Sequence, residues 1–184
     1  LEVMQQIKAA TQNGLEIFFI HGNRDFLCGQ GFAKKSNLTI LPDPFFIDYF
    51  DQKIALSHGD DFCTNDLEYV KYKGEVRSSS WQMEFLRKPL HERRKIASNM
   101  RDASQENNDQ KDMSIMDVTP NAIHQFFNQN NITLLIHGHT HRPKTHPVNT
   151  AEATGTRVVL GDWHETGWCL MLDNSEQELK EFKL

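Results

Sequence analysis

The chain has little cysteine: Cys28, Cys63 and Cys169 are the three in 184 residues, widely spaced, with no C-x-x-C pair. An odd, scattered set does not make a disulfide framework and suits the reduced thiols of a cytoplasm. Long apolar runs are also missing. No stretch approaches the roughly 18 apolar residues that a membrane-spanning helix needs, and no signal peptide is visible. There is no internal repeat and no low-complexity tract, which excludes repeat architectures. Leu1 stands already inside a helical pattern with neither Met nor a strand before it, so the chain reads as a fragment whose beginning is missing.

What is present is enough for one domain with a proper core. Hydrophobic residues are 38% and charged residues 24%, ordinary values for a soluble protein. The net charge of −5 conceals an asymmetry. Residues 71–111 hold ten Lys/Arg against six Asp/Glu, so the remainder carries ten against nineteen. A basic segment inside an acidic chain suits a local anionic partner such as a phosphate or an anionic membrane surface. A solvated helix face of mixed charge explains the balance equally well.

Apolar patterning predicts the elements. Val3, Met4, Ile7 and Ala10 have helical spacing, and Asn13-Gly14 ends that helix. Residues 17–20 read as a buried strand, 32–35 as a short helix, and 40–41, 45–49 and 53–57 as strands, the last two forming a hairpin. Asn65 with Glu68, or Thr64, caps a helix that runs to Arg77. Trp81, Phe85 and Leu86 share a helical face before Pro89, and residues 90–101 are basic and amphipathic. Residues 71–115 therefore read as a helical insertion. Pro120 opens another helix, buried through Ile123, Phe126 and Phe127. The strand at Thr133 follows, residues 148–156 read as a loop, and 157–160, 168–172 and 178–182 as strands.

Three of these apolar runs end in metal-capable side chains. They are Asn23 in Gly22-Asn23-Arg24-Asp25, His58 in Ser57-His58-Gly59-Asp60, and the two histidines of Gly138-His139-Thr140-His141. Ligands gather at the carboxyl ends of strands in open α/β sheets. On extended backbone, His139 and His141 would both point into one cleft. Mixed Asn oxygen and His nitrogen suits Mn²⁺, Fe²⁺ or Zn²⁺ in an open site rather than a closed structural zinc. All four groups are neutral when they bind, so a pair of dications roughly 3.5–4 Å apart would need a bridging carboxylate as well. Asp25, Asp60, Asp61 and Asp162 are candidates, each more readily a turn or supporting residue. The segment before Leu1 is the better place to look.

Together the three blocks resemble the third, fourth and fifth motifs of calcineurin-like metallophosphoesterases. Many members of that superfamily place His after the Gly-Asn, where this chain has Arg24. Gly-Asn-Arg-Asp-Phe, the insertion from Trp81 to Ser104, and Leu160-Gly161-Asp162-Trp163 are similar to one family within it, the UDP-2,3-diacylglucosamine diphosphatases of lipid A synthesis. The resemblance covers nearly all 184 residues.

The resemblance implies a four-layer αββα sandwich over residues 1–184 with a helical lid at about 71–115, its first βα units absent. It implies hydrolysis of UDP-2,3-diacylglucosamine to the acylated sugar 1-phosphate and UMP, with two Mn²⁺ in a complete site. Asn23, His58 and His139 would hold one ion and His141 the other. Asn23, Arg24, Asp66, Ser104, Asn107, Asn108, Lys111 and His139 would meet substrate, and Asn23, Arg24 and His139 would serve catalysis. The enzyme would be cytoplasmic and peripheral on the inner membrane, with no nucleic-acid partner. Arg24 never deprotonates, so it would stabilise charge on phosphate rather than donate a proton. Trp81, Phe85, Leu86, Leu90 and Ile96 would line a groove for acyl chains or dock the insertion on the core. Arg87, Lys88, Arg93, Arg94 and Lys95 would face anionic head groups. Two other readings stand beside this one: another calcineurin-like nucleotide phosphodiesterase, or a non-catalytic metal-binding fragment. Without a bridging carboxylate, these residues alone are expected to bind one metal weakly and to turn over little.

Overall fold

The structure is a computed structural model describing residues 2–112, 115–152, 154–174 and 176–184, without the side chains of 108–110. Its centre is a five-stranded sheet. β3 (Phe45–Tyr49) and β4 (Gln52–Ser57) form the expected hairpin, turning through Phe50 and Asp51 at φ of 44° and 59°. Two successive positive φ values match the right-handed twist of the flanking strands. β4 pairs in parallel with β5 (Leu134–His137), β5 in parallel with β7 (Thr154–Val159), and β7 antiparallel with the edge strand β6 (Lys144–Asn149).

Every residue of β5 is buried, as befits a central parallel strand covered on both faces. One face carries Ala55 and Leu135 against Ile123 and Phe127 of α6 (Pro120–Asn130). The other carries Ile54, Leu134, Ile136 and Val158. These pack on Leu170, Leu172 and Leu179 of the hairpin formed by β8 (Thr166–Leu172) and β9 (Gln177–Lys183). The result is a helix–sheet–sheet stack of mixed α/β class. β1 (Phe18–Ile20) and β2 (Thr39–Leu41) form a separate parallel pair, accompanied by α1 (Glu2–Gln12) and α2 (Gln30–Ser36).

Between β4 and α6 lie α3 (Leu67–Val76), α4 (Ser79–Arg87) and α5 (Leu90–Gln110). The helical segment thus starts at Leu67 and its last helix ends at Gln110, against the expected 71–115. Asp66, not Asn65 or Thr64, caps α3, its carboxylate accepting from Tyr69 N at 3.1 Å. The expected loop at 148–156 is corrected: Asn149 ends β6 and Thr154 begins β7. Pro147 fits β6 because that strand has a neighbour on one side only.

Candidate active site

Register puts the site together. Ser57 is opposite His137 and His137 opposite Val159, so β4, β5 and β7 end level with one another. The loops that follow stay joined, Gly138 N donating to His58 O at 3.1 Å. Asp43 fixes the first of them by accepting from Ser57 Oγ at 2.6 Å and from His58 N at 3.0 Å. Gly59 adopts φ of 105° directly over the His137 ring, where a Cβ would lie 2.6 Å from Nδ1. Only glycine satisfies both the backbone and the space.

The β1 loop closes against the same point. Gly22 N donates to Asp25 Oδ1 at 2.5 Å, which holds a tight turn around Asn23 and Arg24. A Cβ on Gly22 would sit 3.1 Å from His58 Cε1, so this loop lies against the His58 ring. His58 Nε2 and His139 Nδ1 are 3.1 Å apart, their rings inclined at 70°. Burial lowers the pKa of His58, and burial with the neighbouring His58 lowers that of His139 to about 4. Both imidazoles are therefore neutral at pH 7, with ring nitrogens able to accept.

The loop departs from the extended backbone expected for it. His139 and His141 have φ of 65° and 52°, and they diverge. His139 turns inward beneath the Tyr69 ring, 5.4 Å away between centroids. The His141 side chain is 60% exposed, its Nδ1 3.8 Å from Asp162 Oδ2. Non-glycine residues in this region cost about 1–3 kcal/mol each and persist where surroundings over-determine them, commonly at functional sites.

His137 lies beneath the loop. Its Nδ1 donates to Gly138 O at 3.0 Å and its Nε2 accepts from Arg157 at 3.1 Å. A guanidinium only donates, which sets the tautomer. Burial drops the His137 pKa to about 4. His21 is similarly committed, with Nε2 2.7 Å from Cys28 O.

Among the described residues no three His, Cys, Asp or Glu side chains converge as a metal site. The donors that do converge are His58 and His139, with the Asn23 loop against them. Thr140 Oγ1 nearby is buried without a hydrogen-bond partner among the described residues. Neutral nitrogen and oxygen donors of this kind fit one divalent first-row ion in an open site. The four carboxylates considered as a bridge are placed otherwise. Asp25 serves the Gly22 turn, and Asp60 is buried among Tyr69, Lys73 and Arg77. Asp61 pairs with Lys73 at 2.8 Å, and Asp162 Oδ2 lies 3.8 Å from His141 Nδ1.

A cavity of about 320 Å³ opens beside this centre. It is lined by Asn23 and Arg24 of the β1 loop, by Asp66 with Glu68, Tyr69 and Tyr72 of α3, and by Trp81 and Phe85 of α4. From α5 come Ala97, Met100, Arg101, Ser104 and Asn107, the face that recurs every three or four residues, and Lys111 follows just past its end. Six expected substrate residues thus share one cavity: Asn23, Arg24, Asp66, Ser104, Asn107 and Lys111. His139 borders it through Tyr69. The side chain of Asn108 lies outside the described residues.

Of the expected apolar groove, Trp81 and Phe85 face the cavity, stacked with 4.9 Å between centroids. Leu86 and Leu90 are exposed on the outer surface, and Ile96 is not in the lining. Phe26 and Leu27 were not expected there and complete the apolar wall, Phe26 lying 6.3 Å from Trp81. Their sequence signal was adjacency: they follow Asp25 on the loop that places Asn23.

This fold and this centre are those of a calcineurin-like phosphoesterase. The chain belongs to that family, whose model matches residues 1–143, and membership implies dependence on a divalent metal ion. Within the family the chain is 43% identical to the UDP-2,3-diacylglucosamine hydrolase of Cellvibrio japonicus, over 91% of this chain and 70% of that protein. Hydrolases of the same name are 44% identical in Aeromonas hydrophila and 47% in Aeromonas salmonicida. The matches span 100% and 94% of this chain, and 76% and 68% of theirs.

Proposed function

We propose that this protein hydrolyses UDP-2,3-diacylglucosamine at its pyrophosphate, releasing 2,3-diacylglucosamine 1-phosphate and UMP, as a step of lipid A synthesis. The observation that carries this reading is the mixed lining of the cavity. It brings Asn23 and Arg24, with Asp66, Ser104, Asn107 and Lys111, into one space with Trp81, Phe85, Phe26 and Leu27. A cavity that joins cationic and polar side chains to an aromatic wall suits a phosphate joined to an acylated sugar.

A pair of Mn²⁺ ions is the cofactor we assign, with Asn23, His58 and His139 toward one ion and His141 toward the other. Such ions supply Lewis acidity that polarises a phosphoryl oxygen and acidifies water. The chain's own residues do the rest. The Arg24 guanidinium offers a planar pair of donors to phosphate oxygens and holds its charge at any working pH. Asn23 contributes an amide from the same loop. His58 and His139 stay neutral through burial, so neither competes for a proton at pH 7. Lys111, ion-paired to Asp66 at 2.7 Å and Glu68 at 3.2 Å, sets a cation between two carboxylates of the cavity lining. Ser104, Asn107 and Asn108 would add neutral donors for sugar or uridine oxygens. Cleavage adds the water oxygen to one phosphorus, and the bridging oxygen departs with the other phosphate.

No helix among the described residues is long and apolar enough to cross a membrane. Exposed Met83, Leu86 and Leu90 beside Arg87, Arg94 and Lys95 support a peripheral seat on an anionic bilayer. The location we assign is the cytoplasmic face of the inner membrane.

The test is Mn²⁺-dependent release of UMP from the acylated nucleotide by the intact protein. His139→Ala should abolish it, and a His139→Ala protein with normal activity overturns the reading. Cleavage of small nucleotide diesters with no action on the acylated substrate would assign another activity of the same family.

A further inference from the structure

We infer that Arg77 is a positioning residue that sets the spacing between the Asn23 loop and the His58 loop. One terminal nitrogen of its guanidinium donates to two acceptors, Gly22 O at 3.2 Å and Asp60 Oδ2 at 3.0 Å. That nitrogen carries two hydrogens in a fixed plane, so the acceptors are held at a set angle and separation. Gly22 immediately precedes Asn23, and Asp60 follows His58 by two residues.

The contact acts where the two loops lie close together. A Cβ on Gly22 would stand 3.1–3.2 Å from two atoms of the His58 ring. A shift of either loop therefore changes where Asn23 lies relative to His58. The Asp60 carboxylate is fully buried and has other partners, the Tyr69 hydroxyl at 2.7 Å and Lys73 at 3.0 Å. Loss of Arg77 leaves that carboxylate compensated. What disappears with it is the bond between the two loops.

Arg77 is also the residue that ends α3, the helix whose first turns present Asp66, Glu68, Tyr69 and Tyr72 to the cavity. One helix thus carries the cavity wall at its start and the tie between the loops at its end. This inference rests on the reading of Asn23 and His58 as metal ligands, and the experiment separates the two.

The measurement is Mn²⁺ affinity by electron paramagnetic resonance of the free ion, with melting temperature recorded alongside. It compares the intact wild-type protein with Arg77→Gln, Arg77→Lys and Lys73→Met. Arg77→Gln should bind Mn²⁺ at least tenfold more weakly while melting within a few degrees of wild type, and Arg77→Lys should recover part of the loss. Lys73→Met removes a cation from the same carboxylate without touching Gly22, so it should stay within twofold of wild type. Arg77→Gln with wild-type affinity overturns the inference. So does Lys73→Met weakening binding as much, since charge balance would then explain both. Should Arg77→Gln fail to fold, Arg77→Lys decides, and undiminished affinity there overturns it equally. A wild-type protein that binds no Mn²⁺ refutes the metal-site reading itself and this inference with it.

Discussion

Tyr69 donates its hydroxyl to the buried Asp60 carboxylate at 2.7 Å, while its ring faces His139 at 5.4 Å between centroids. One side chain therefore braces a charge in the His58 loop and covers the inner histidine of the next. Burial pushes the Tyr69 hydroxyl pKa up, so the group stays a donor throughout the working range. Burial alone would raise the Asp60 carboxyl, but the Tyr69 bond and the Lys73 and Arg77 charges outweigh it and hold the group below its usual range.

Replacing Tyr69 by Phe keeps the ring and deletes a hydrogen bond to a charged, buried acceptor. Such bonds are worth about 1.5–3 kcal/mol. Tyr69→Phe should lower unfolding free energy by that order in a urea titration, with an unchanged m-value. Asp60→Asn should cost more, about 3–5 kcal/mol, because it leaves Lys73 and Arg77 beside a neutral amide. Equal stability of the two variants would contradict this account of the charge cluster.

Asp66 has two separable jobs. It caps α3 by accepting from Tyr69 N at 3.1 Å, and it pairs with Lys111 at 2.7 Å in the cavity lining. Asp66→Asn keeps an oxygen for the cap and removes the charge. It should leave stability within about 0.5 kcal/mol, since Asn caps as well as Asp, and lower kcat/KM by about tenfold, equivalent to about 1.4 kcal/mol. Asp66→Ala should show the same kinetic loss plus about 1 kcal/mol of destabilisation from the lost cap. Kinetics and denaturation of the two variants together make the comparison.

Hydrophobic periodicity was a sound guide where burial dictates structure. The runs ending at Ser57 and His137 became β4 and β5, and the run ending at Ile20 became β1, which is not the buried strand expected, since Phe18 is 56% exposed. The strand β6 escaped because pairing with β7, not its own pattern, makes it a strand. Pro147 and a mostly exposed face hide it from period counting. Asp66 displaced Asn65 as the cap because α3 begins at Leu67, and Lys111, forty-five residues away, bonds the same carboxylate. The divergence of His139 and His141 follows from left-handed backbone, which no local alternation predicts. Arg77 read only as the end of a helix, since its two acceptors come from loops distant in sequence.

The aromatic wall should matter for acyl chains and not for the nucleotide. Trp81 lies between Phe26 and Phe85, at 6.3 Å and 4.9 Å. Trp81→Ala removes an apolar surface of the order of 150–250 Å². The expected result is at least a tenfold fall in kcat/KM for the acylated substrate, carried by KM. A short-chain analogue should change less than twofold. A parallel loss on both substrates would place Trp81 in the framework of α4 instead of the binding surface.

Cysteine chemistry offers a check on the core that does not depend on catalysis. Cys63 follows the 3-10 turn Asp60–Phe62 and is 1% exposed, with its Sγ 3.5 Å from Met116 O. Burial, with Asp117, Asp60 and Asp66 adding to it, pushes its thiol up to about 12. Only the thiolate attacks an alkylating agent, so at pH 8 about one Cys63 in ten thousand is in the reactive form, and that one is shielded. Cys28 and Cys169 are partly exposed. Iodoacetamide at pH 8 should label Cys169 first and Cys28 more slowly, since burial and Asp25 raise the Cys28 thiol. Cys63 should be labelled only after denaturant is added. Peptide mass spectrometry of the native protein reads all three sites at once. Native labelling of Cys63 at the rate of Cys169 would show that the turn beneath the His58 loop is open in solution, contrary to the packing described.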